Sequence, residues 1–499
     1  MTDASTDLNS PKRLAGKHIL VLNWRDVKHS QAGGAEQYMH EISRRWVNSG
    51  VRVTWFTGRD AGQAAEDIID GIRILRGGGA LSIYGHSALR LLRTDGRFDA
   101  VVDCQNGIPF FSPLFLRGDI PIVQLVHHVH QDQFRTRFSP PMAAVGRFLE
   151  SSGAKTVYGQ RAMVAVSPST RMELRELGFS APIHVVPNGT IDIPPVVATR
   201  AAEPTIAVVS RLVPHKRLDL LLGQFAVAAR KLPHLRLDIV GDGPERARLQ
   251  QLAMDLGLDH AVTFHGYQPN EVRDALLSRA WMTASTSASE GWGCSVIEAA
   301  AWGVPCLALR VPGIRDSVVD GRTGWLVDNP TDLGAAIVDA ITELAAPEAA
   351  IIVSGECREW ARCFTWDRST RLLTGVLLEE TMMRRDGGDP RVCHSDLSTV
   401  VQFELPDQFE SPGQFDLPGE FESADALFTG ALRPTDEYSV VDGHVSIIMK
   451  GRDEFEAFAA MKKIGVASPE IHSAGRSTLL AGPGSVFAPA DALMAGDGS

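Results

Sequence analysis

The strongest constraint on how this chain folds is an alternation of short β-branched runs with amphipathic helical stretches. It starts near Lys17 and starts again after Asn188. Lys17–Asn23, Val51–Phe56, Ala100–Asp103, Pro121–His127, Met163–Ser167 and His184–Pro187 read as strands. Between the first two, Ala35–Asn48 carries Tyr38, Ile42 and Trp46 at i, i+4 spacing, and Gly50 stands where a helix C-terminus favours glycine. Strands that alternate with helices form parallel sheets covered on both faces. The stretch Ile191 to Glu203, rich in Pro and Ala and without period, reads as a linker. A second set of strands follows at Thr205–Ser210, Leu235–Val240, Ala261–Phe264, Trp281–Ala284 and Pro305–Ala308, with helices at Leu218–Lys231, Glu245–Leu256 and Cys294–Trp302. The expected fold is α/β, built from two Rossmann-like domains at 17–190 and 191–385, preceded by a flexible 1–16.

Residues 386–499 differ in kind. Phe403, Phe409, Phe415 and Phe421 recur every six residues among closely spaced prolines, a density that opposes helix and central strand. An acidic, mostly disordered extension is expected, with one small folded element near 437–465. The alternative is a linear motif whose phenylalanines dock on a protein partner or on this chain itself. The net charge of -11 resides there: residues 1–190 balance at +5, residues 191–394 at -5 and residues 395–499 at -11. The mildly positive N-terminal half suits anionic ligands or lipid headgroups, so peripheral membrane contact through that domain is an expectation. Without a dense Lys/Arg tract, nucleic acid is not an expected partner.

Six cysteines with no Cys-x-x-Cys pair exclude a disulfide scaffold and argue against a zinc ribbon. No apolar run is long enough to span a membrane, and Met1–Ser10 lacks the order of a secretory signal. A cytoplasmic protein, at most held at the inner face of a membrane, is expected.

The densest chemistry lies in Ser289-Glu-Gly-Trp-Gly-Cys-Ser-Val-Ile-Glu298. Glu290 and Glu298 are separated by seven residues, joined by a glycine loop that runs into a helix. Backbone N–H groups at Gly291, Trp292, Gly293 and Cys294 would stand free at that helix start, where the dipole favours an anion such as a diphosphate. A carboxylate at Glu290 could grip sugar hydroxyls, and Glu298 a diol such as ribose. An isolated glutamate pair would read equally as a solvated helix face.

The surrounding segments remove that default. This stretch resembles the E-x7-E motif of retaining GT-B glycosyltransferases of the family-four type. Gln31-Ala-Gly-Gly34-Ala-Glu36 resembles the family's first glycine loop, and Val186-Pro-Asn-Gly-Thr190 its interdomain hinge. Val209-Ser-Arg211 through Lys216, Ile239-Val-Gly-Asp242, Phe264-His-Gly-Tyr267 and Gly313-Ile-Arg-Asp follow in the family's order. The resemblance covers roughly residues 17–385. It implies two domains facing across a cleft, with a last helix that crosses back to the N-terminal domain. It also implies a nucleotide diphosphate sugar as donor and a carbohydrate or glycolipid as acceptor. The reaction implied is metal-independent, retaining transfer of a hexose, with mannose favoured slightly and no cofactor.

In site terms the resemblance assigns His127, Arg211, Lys216 and Glu290 to catalysis. Gly33, Gly34, Asp242, Tyr267, Gly291, Trp292, Gly293, Cys294 and Glu298 are assigned to the donor. Gly33 and Gly34 would let backbone approach a diphosphate closely. Arg211 and Lys216 would neutralise the leaving diphosphate in place of a metal. His127, His128 and His130 end a buried strand; His127 matches the family's donor-facing histidine best, and metal binding is the competing reading of the run. Asp103-Cys-Gln-Asn106 is a candidate acceptor-side segment, with a plain turn as its alternative.

Overall fold

The computed structural model describes residues 9–94, 98–131, 133–134, 138–159, 161–195 and 198–385. Beyond them it describes 397–404, 428, 432, 436–441, 444–450, 457, 460–461, 466 and 470–475. The chain divides into two compact units, one comprising Met1–Pro187 with Trp366–Leu480 and the other Asn188–Thr365.

In the first unit β1 (His18–Leu22) leads through a long loop to α1 (Gly34–Asn48) and β2 (Arg52–Thr57). A hairpin follows, β3 (Glu66–Ile69) and β4 (Ile72–Arg76), then α2 (Ser82–Leu92), β5 (Ala100–Gln105) and β6 (Ile122–Val126). The remainder is α3 (Pro140–Phe148), α4 (Ala154–Tyr158), β7 (Met163–Ala165), α5 (Pro168–Glu176) and β8 (Ile183–Val185). The eight strands run in the order β3-β4-β2-β1-β5-β6-β7-β8, parallel throughout except for the β3–β4 pair. Ile19, Leu20, Val21, Val101, Val102, Ile122, Val123 and Leu125 are all fully buried, as a sheet covered on both faces requires. The hairpin turns at Asp70–Gly71, both at positive φ (46° and 78°), the backbone that a tight two-residue turn demands.

The sheet order reverses direction between β1 and β5. In open parallel sheets such a point leaves a crevice beyond the carboxyl ends of the strands, where ligands bind. The loops after β1, β5 and β6 border it.

The second unit holds β9 (Thr205–Val209), α6 (Leu218–Ala229), β10 (Arg236–Val240), α7 (Arg246–Asp255), β11 (Val262–Gly266), α8 (Asn270–Ser278) and β12 (Thr283–Ser285). Next come α9 (Cys294–Ala301), β13 (Cys306–Leu309), β14 (Gly324–Val327), α10 (Leu333–Leu344) and α11 (Pro347–Arg362). Two parallel three-stranded sheets, β11-β10-β9 and β12-β13-β14, meet at an Ile206–Met282 bridge. The combined order in the unit's own numbering is 3-2-1-4-5-6, the doubly wound pattern, with its reversal between β9 and β12.

After Thr365 the chain rejoins the first unit as α12 (Trp366–Arg385), which packs on α1. The Trp46 indole donates to Thr374 Oγ1 at 2.9 Å, and Arg45 pairs with Asp367 at 2.6 Å. Four antiparallel strands follow, β15 (Leu397–Glu404), β16 (Glu437–Val441), β17 (His444–Lys450) and β18 (Glu470–Gly475), in the order β16-β17-β15-β18. Helical positions lie between β15 and β16 at Phe428, and between β17 and β18 at Ala457, Ala460 and Met461. The strand pairing of this sheet among the described residues is antiparallel throughout. Its core gathers Val401, Phe428, Val445, Ile447, Met449 and Met461, and Glu437 pairs with Arg368 of α12 at 3.1 Å.

The folded element is therefore wider than the expected 437–465. The central strand comes from 397–404, where Val400 and Val401 are buried on opposite faces, and β18 lies beyond residue 465. Phe403 packs against this core, whereas Phe409, Phe415 and Phe421 lie outside the described residues. No helix among the described residues is long and apolar enough to cross a membrane.

Candidate functional site

The reversal between β9 and β12 brings together two loops that are 70 residues apart in sequence. After β9 the chain makes a short turn at Pro214–Lys216, and Arg217 takes a left-handed φ of 51° before α6 begins. After β12, Thr286 Oγ1 donates to the carbonyls of both Lys216 and Arg217 at 3.0 Å, and Ala288 N–H donates to the His215 carbonyl. These backbone ties carry the Lys216 ammonium onto the Glu290 carboxylate, and Ser287 Oγ donates to the same oxygen at 2.6 Å. About a fifth of each charged side chain stays exposed (21% and 17%), so the pair is open to exchange with a ligand.

Glu290 is also held from behind. Its N–H donates to the Pro312 carbonyl, and Gly313 lies against its backbone with φ 78°. A β-carbon at Gly313 would come within 2.1 Å of the Glu290 carbonyl oxygen, so only glycine permits this approach.

Beyond Glu290, Gly293 (φ -84°, ψ 66°) is the centre of an inverse γ-turn, in which Cys294 N–H donates to the Trp292 carbonyl at 3.1 Å. This corrects one expectation: the Cys294 N–H is not free for an anion. The N–H groups of Gly291, Trp292 and Gly293 have no partner among the described residues and lead into the α9 N-terminus. Trp292 is buried against Phe364 with ring centroids 5.0 Å apart, so its indole serves packing and its backbone faces the loop. Burial and the carboxylates of Glu298 and Glu290 push the Cys294 thiol up to about 12, against the opposing Lys216 charge. It remains a neutral thiol rather than a nucleophile.

Glu298 follows on α9. Burial raises its pKa above the usual carboxylate range, only partly offset by the Arg273 guanidinium 3.9 Å away on α8. Arg273 and Ser287 were not singled out in the sequence. Ser287 lies two residues before the informative stretch, whereas nothing local marks Arg273 as the partner of a residue on another helix.

Three other predicted residues of this unit are more exposed, and Tyr267 is near enough to Arg273 to act on its charge. Arg211 is exposed after β9. Asp242 caps its own turn through Gly243 N–H at 2.7 Å and pairs with Arg246 at 2.8 Å, so its charge is already used locally. Tyr267 is 82% exposed.

In the first unit, Gly33 and Gly34 begin α1 as expected, but Gly33 N–H donates to the Glu36 carboxylate at 2.7 Å. An anion at this helix start would compete with Glu36. Among the described residues, a β-carbon on Gly33 would meet nothing beyond its chain neighbours nearer than Glu36 Oε2 at 3.8 Å, so their packing does not demand glycine there. The preceding loop is anchored by Asp26, which takes a two-point ion pair from Arg76 of β4 (2.6 and 3.0 Å) with both side chains buried.

His127 follows β6, 8% exposed, with the Tyr38 ring edge-on at 5.1 Å. Burial, reinforced by neighbouring His130, pushes its imidazole down to about 3, so it is a neutral ring at any physiological pH. Its Nε2 has no hydrogen-bond partner among the described residues. Among the described residues no group of three or more His, Cys, Asp or Glu side chains is placed to hold a metal ion.

Asp103 does not line a surface. It is fully buried and accepts from Phe110 N, Ser112 N, Ser112 Oγ and the Tyr158 hydroxyl, the last at 2.5 Å. Its role is to anchor the 106–112 loop, which corrects the acceptor-side reading for this residue.

Comparison with known proteins now defines the class. The family model for Glycosyltransferase Family 4 matches residues 32–192, and that for Glycosyl transferases group 1 matches residues 191–351. The solved sucrose-phosphate synthase of Thermosynechococcus elongatus shares the fold at a TM-score of 0.59 and 20% identity, over 74% of this chain and 98% of that one. HepE of Anabaena does so at 0.56 and 19%, over 73% and 100%. This is a GT-B glycosyltransferase fold.

More particularly, the chain belongs to the family-four type of these glycosyltransferases. It is 33% identical over 189 residues to the GDP-mannose-dependent α-(1-6)-phosphatidylinositol monomannoside mannosyltransferase of Mycolicibacterium smegmatis. It is 30% identical over 277 residues to the D-inositol 3-phosphate glycosyltransferase of Corynebacterium efficiens. These matches cover 36% and 54% of this chain and span 48% and 57% of the relatives' own lengths, about half of each.

Proposed function

We propose that this protein is a retaining, metal-independent hexosyltransferase that moves a hexose, mannose by preference, from a nucleoside diphosphate to an acceptor hydroxyl. The observation that carries this reading is the Lys216–Glu290–Ser287 cluster at the β9/β12 reversal, beside the unpartnered N–H groups of Gly291 to Gly293. The preference for mannose is supported by the mannosyltransferase named among the relatives.

The chemistry follows from charge. Transfer breaks the bond between the sugar's anomeric carbon and the diphosphate as the acceptor oxygen bonds to that carbon and its proton passes to the leaving diphosphate, on whose oxygen negative charge builds. Lys216 and the α9 N-terminus supply positive potential there. Glu290, released from Lys216 as the diphosphate takes the ammonium, is left as an acceptor for hexose hydroxyls. Glu298 accepts from the ribose diol.

A membrane surface as the source of acceptor is supported by α3, where Met142, Val145 and Phe148 are 52%, 58% and 59% exposed at i, i+3 spacing.

Calorimetry with a nucleoside diphosphate and with the intact donor on two variants tests the reading. Glu298→Gln is expected to weaken both ligands about equally, by roughly 1–3 kcal/mol for a charge-assisted hydrogen bond. Glu290→Gln is expected to spare the free nucleotide and lower turnover. Equal loss of nucleotide affinity in both variants overturns the assignment of the two glutamates.

A further inference from the structure

Past His127 the chain turns into a loop whose geometry is set by an unusual device. Residues Leu149–Gly153 form a π-helical turn between α3 and α4. Such turns interrupt a helix to re-aim one side chain and recur at functional positions. Glu150 lies in this turn and is fully buried. One oxygen accepts from His130 N–H at 2.7 Å and the other from Gln131 Nε2 at 2.7 Å.

The His130 ring is fixed as well. Its Nδ1 lies 2.9 Å from the His128 carbonyl oxygen and 3.5 Å from Glu150. A carbonyl and a carboxylate only accept, so Nδ1 carries the proton. In the neutral ring the lone pair then falls on Nε2, which has no partner among the described residues, and 22% of the side chain is exposed.

The loop after β5 lies against this ring. Gly107, at φ 98°, follows β5, and a β-carbon there would lie 3.8 Å from His130 Cγ. Asn106 beside it donates to Asn23 Oδ1 at 2.9 Å, tying the loop after β5 to the end of β1. The loops after β1, β5 and β6 are those that border the reversal of the first sheet.

We propose that His130 is the residue that receives the acceptor in hydrogen-bonding register, its Nε2 accepting from the hydroxyl of a polyol ring, with Glu150 as its positioning residue. The inference rests on the glycosyltransferase reading and deepens it: the acceptor presents a ring hydroxyl, as a cyclitol or a pyranoside does. His127 is too enclosed for this task, and His130 performs it because Glu150 and the His128 carbonyl set its tautomer.

The test uses the full chain with myo-inositol, D-inositol 3-phosphate and methyl α-D-mannopyranoside as probes. Their binding is followed by saturation-transfer NMR in the presence of GDP, whose own affinity is measured in parallel. His130→Phe keeps the ring's bulk and removes Nε2; it is expected to weaken polyol binding about 5-fold or more while GDP affinity stays within about 2-fold. His130→Gln, which restores an acceptor, is expected to recover part of the loss. Glu150→Gln, which keeps an acceptor for His130 N–H, is expected to give a smaller loss than His130→Phe. Polyol binding unchanged in His130→Phe, or no polyol binding in a wild type that binds GDP, overturns the proposal and leaves the donor reading standing. A wild type that binds neither GDP nor other nucleoside diphosphates overturns the donor reading itself.

Discussion

The enclosure of His127 has a thermodynamic signature that does not depend on knowing any substrate. Its imidazole titrates near 3 in the folded protein, against an ordinary 6.5 in an unfolded chain. The folded pKa is lowered, so the unfolded chain binds the extra proton first as the pH falls. The contribution to stability is whole above 6.5 and is lost progressively between 6.5 and 3. At about pH 5 the unfolded imidazole is almost fully protonated and the folded one is not. The proton-binding polynomials then differ by about 30-fold, a loss of about 2 kcal/mol relative to pH 8. Because the folded value lies far below pH 5, a folded pKa one unit higher would change this figure only slightly. The assay is chemical denaturation at about pH 8 and about pH 5 for the wild type and for His127→Phe, which keeps an aromatic ring against Tyr38 but cannot titrate. Whatever the variant's absolute stability, its loss between the two pH values should be smaller than that of the wild type by about 2 kcal/mol. Equal losses in the two proteins would refute the inference that His127 is buried in its neutral form.

Lys216→Ala is expected to lower turnover by on the order of 10²-fold or more, since it removes positive potential at the leaving oxygen. Steady-state kinetics indistinguishable from wild type would place the lysine outside the site. Gly313→Ala should displace the Glu290 backbone and cost about 1–3 kcal/mol of stability, together with donor affinity. A variant with wild-type melting temperature and donor binding contradicts the close approach. Transfer should persist in EDTA; abolition by chelator, reversed by Mn²⁺, would mean that a metal and not Lys216 carries the charge.

Much of this architecture was legible because burial on both faces leaves a plain signature. β1, β5 and β6 are apolar runs that end within a residue or two of where the pattern of β-branched residues stops. Helix α1 follows the Tyr38, Ile42, Trp46 stripe, all three fully buried. The β3–β4 hairpin was missed, although Asp70–Gly71 is the turn pair that marks one. Its strands are half exposed and lack the apolar runs that identified the others. The sheet that includes 397–404 escaped notice because its pairing partners lie some 40 to 70 residues further on, past a proline-dense stretch that points away from strands.

At the site, residues close together in sequence were found and long-range partners were not. Glu290 and Glu298 share one stretch and Ser287 lies two residues before it, but the Arg273–Glu298 pairing and the Gly313 approach depend on how separate crossovers return to the sheet. Asp103 looked like a ligand-facing carboxylate because sequence does not distinguish a buried acceptor of four hydrogen bonds from an exposed one.

The route of the chain bears on its birth at the ribosome. Thr190 N–H donates to the Phe364 carbonyl at 2.8 Å, so the second unit enters and leaves through neighbouring strands of chain. Every part of its sheet has been synthesised by the time Thr365 appears. The first unit has no such luxury: the Trp46 indole must wait 328 residues for Thr374, and the helix that covers α1 is made only after the whole inserted unit. The segment translated first is thus the last to be completed, and for most of synthesis it carries an uncovered apolar face of α1. A nascent chain of this kind needs either a chaperone on that face or a pace of translation that lets the insert close first.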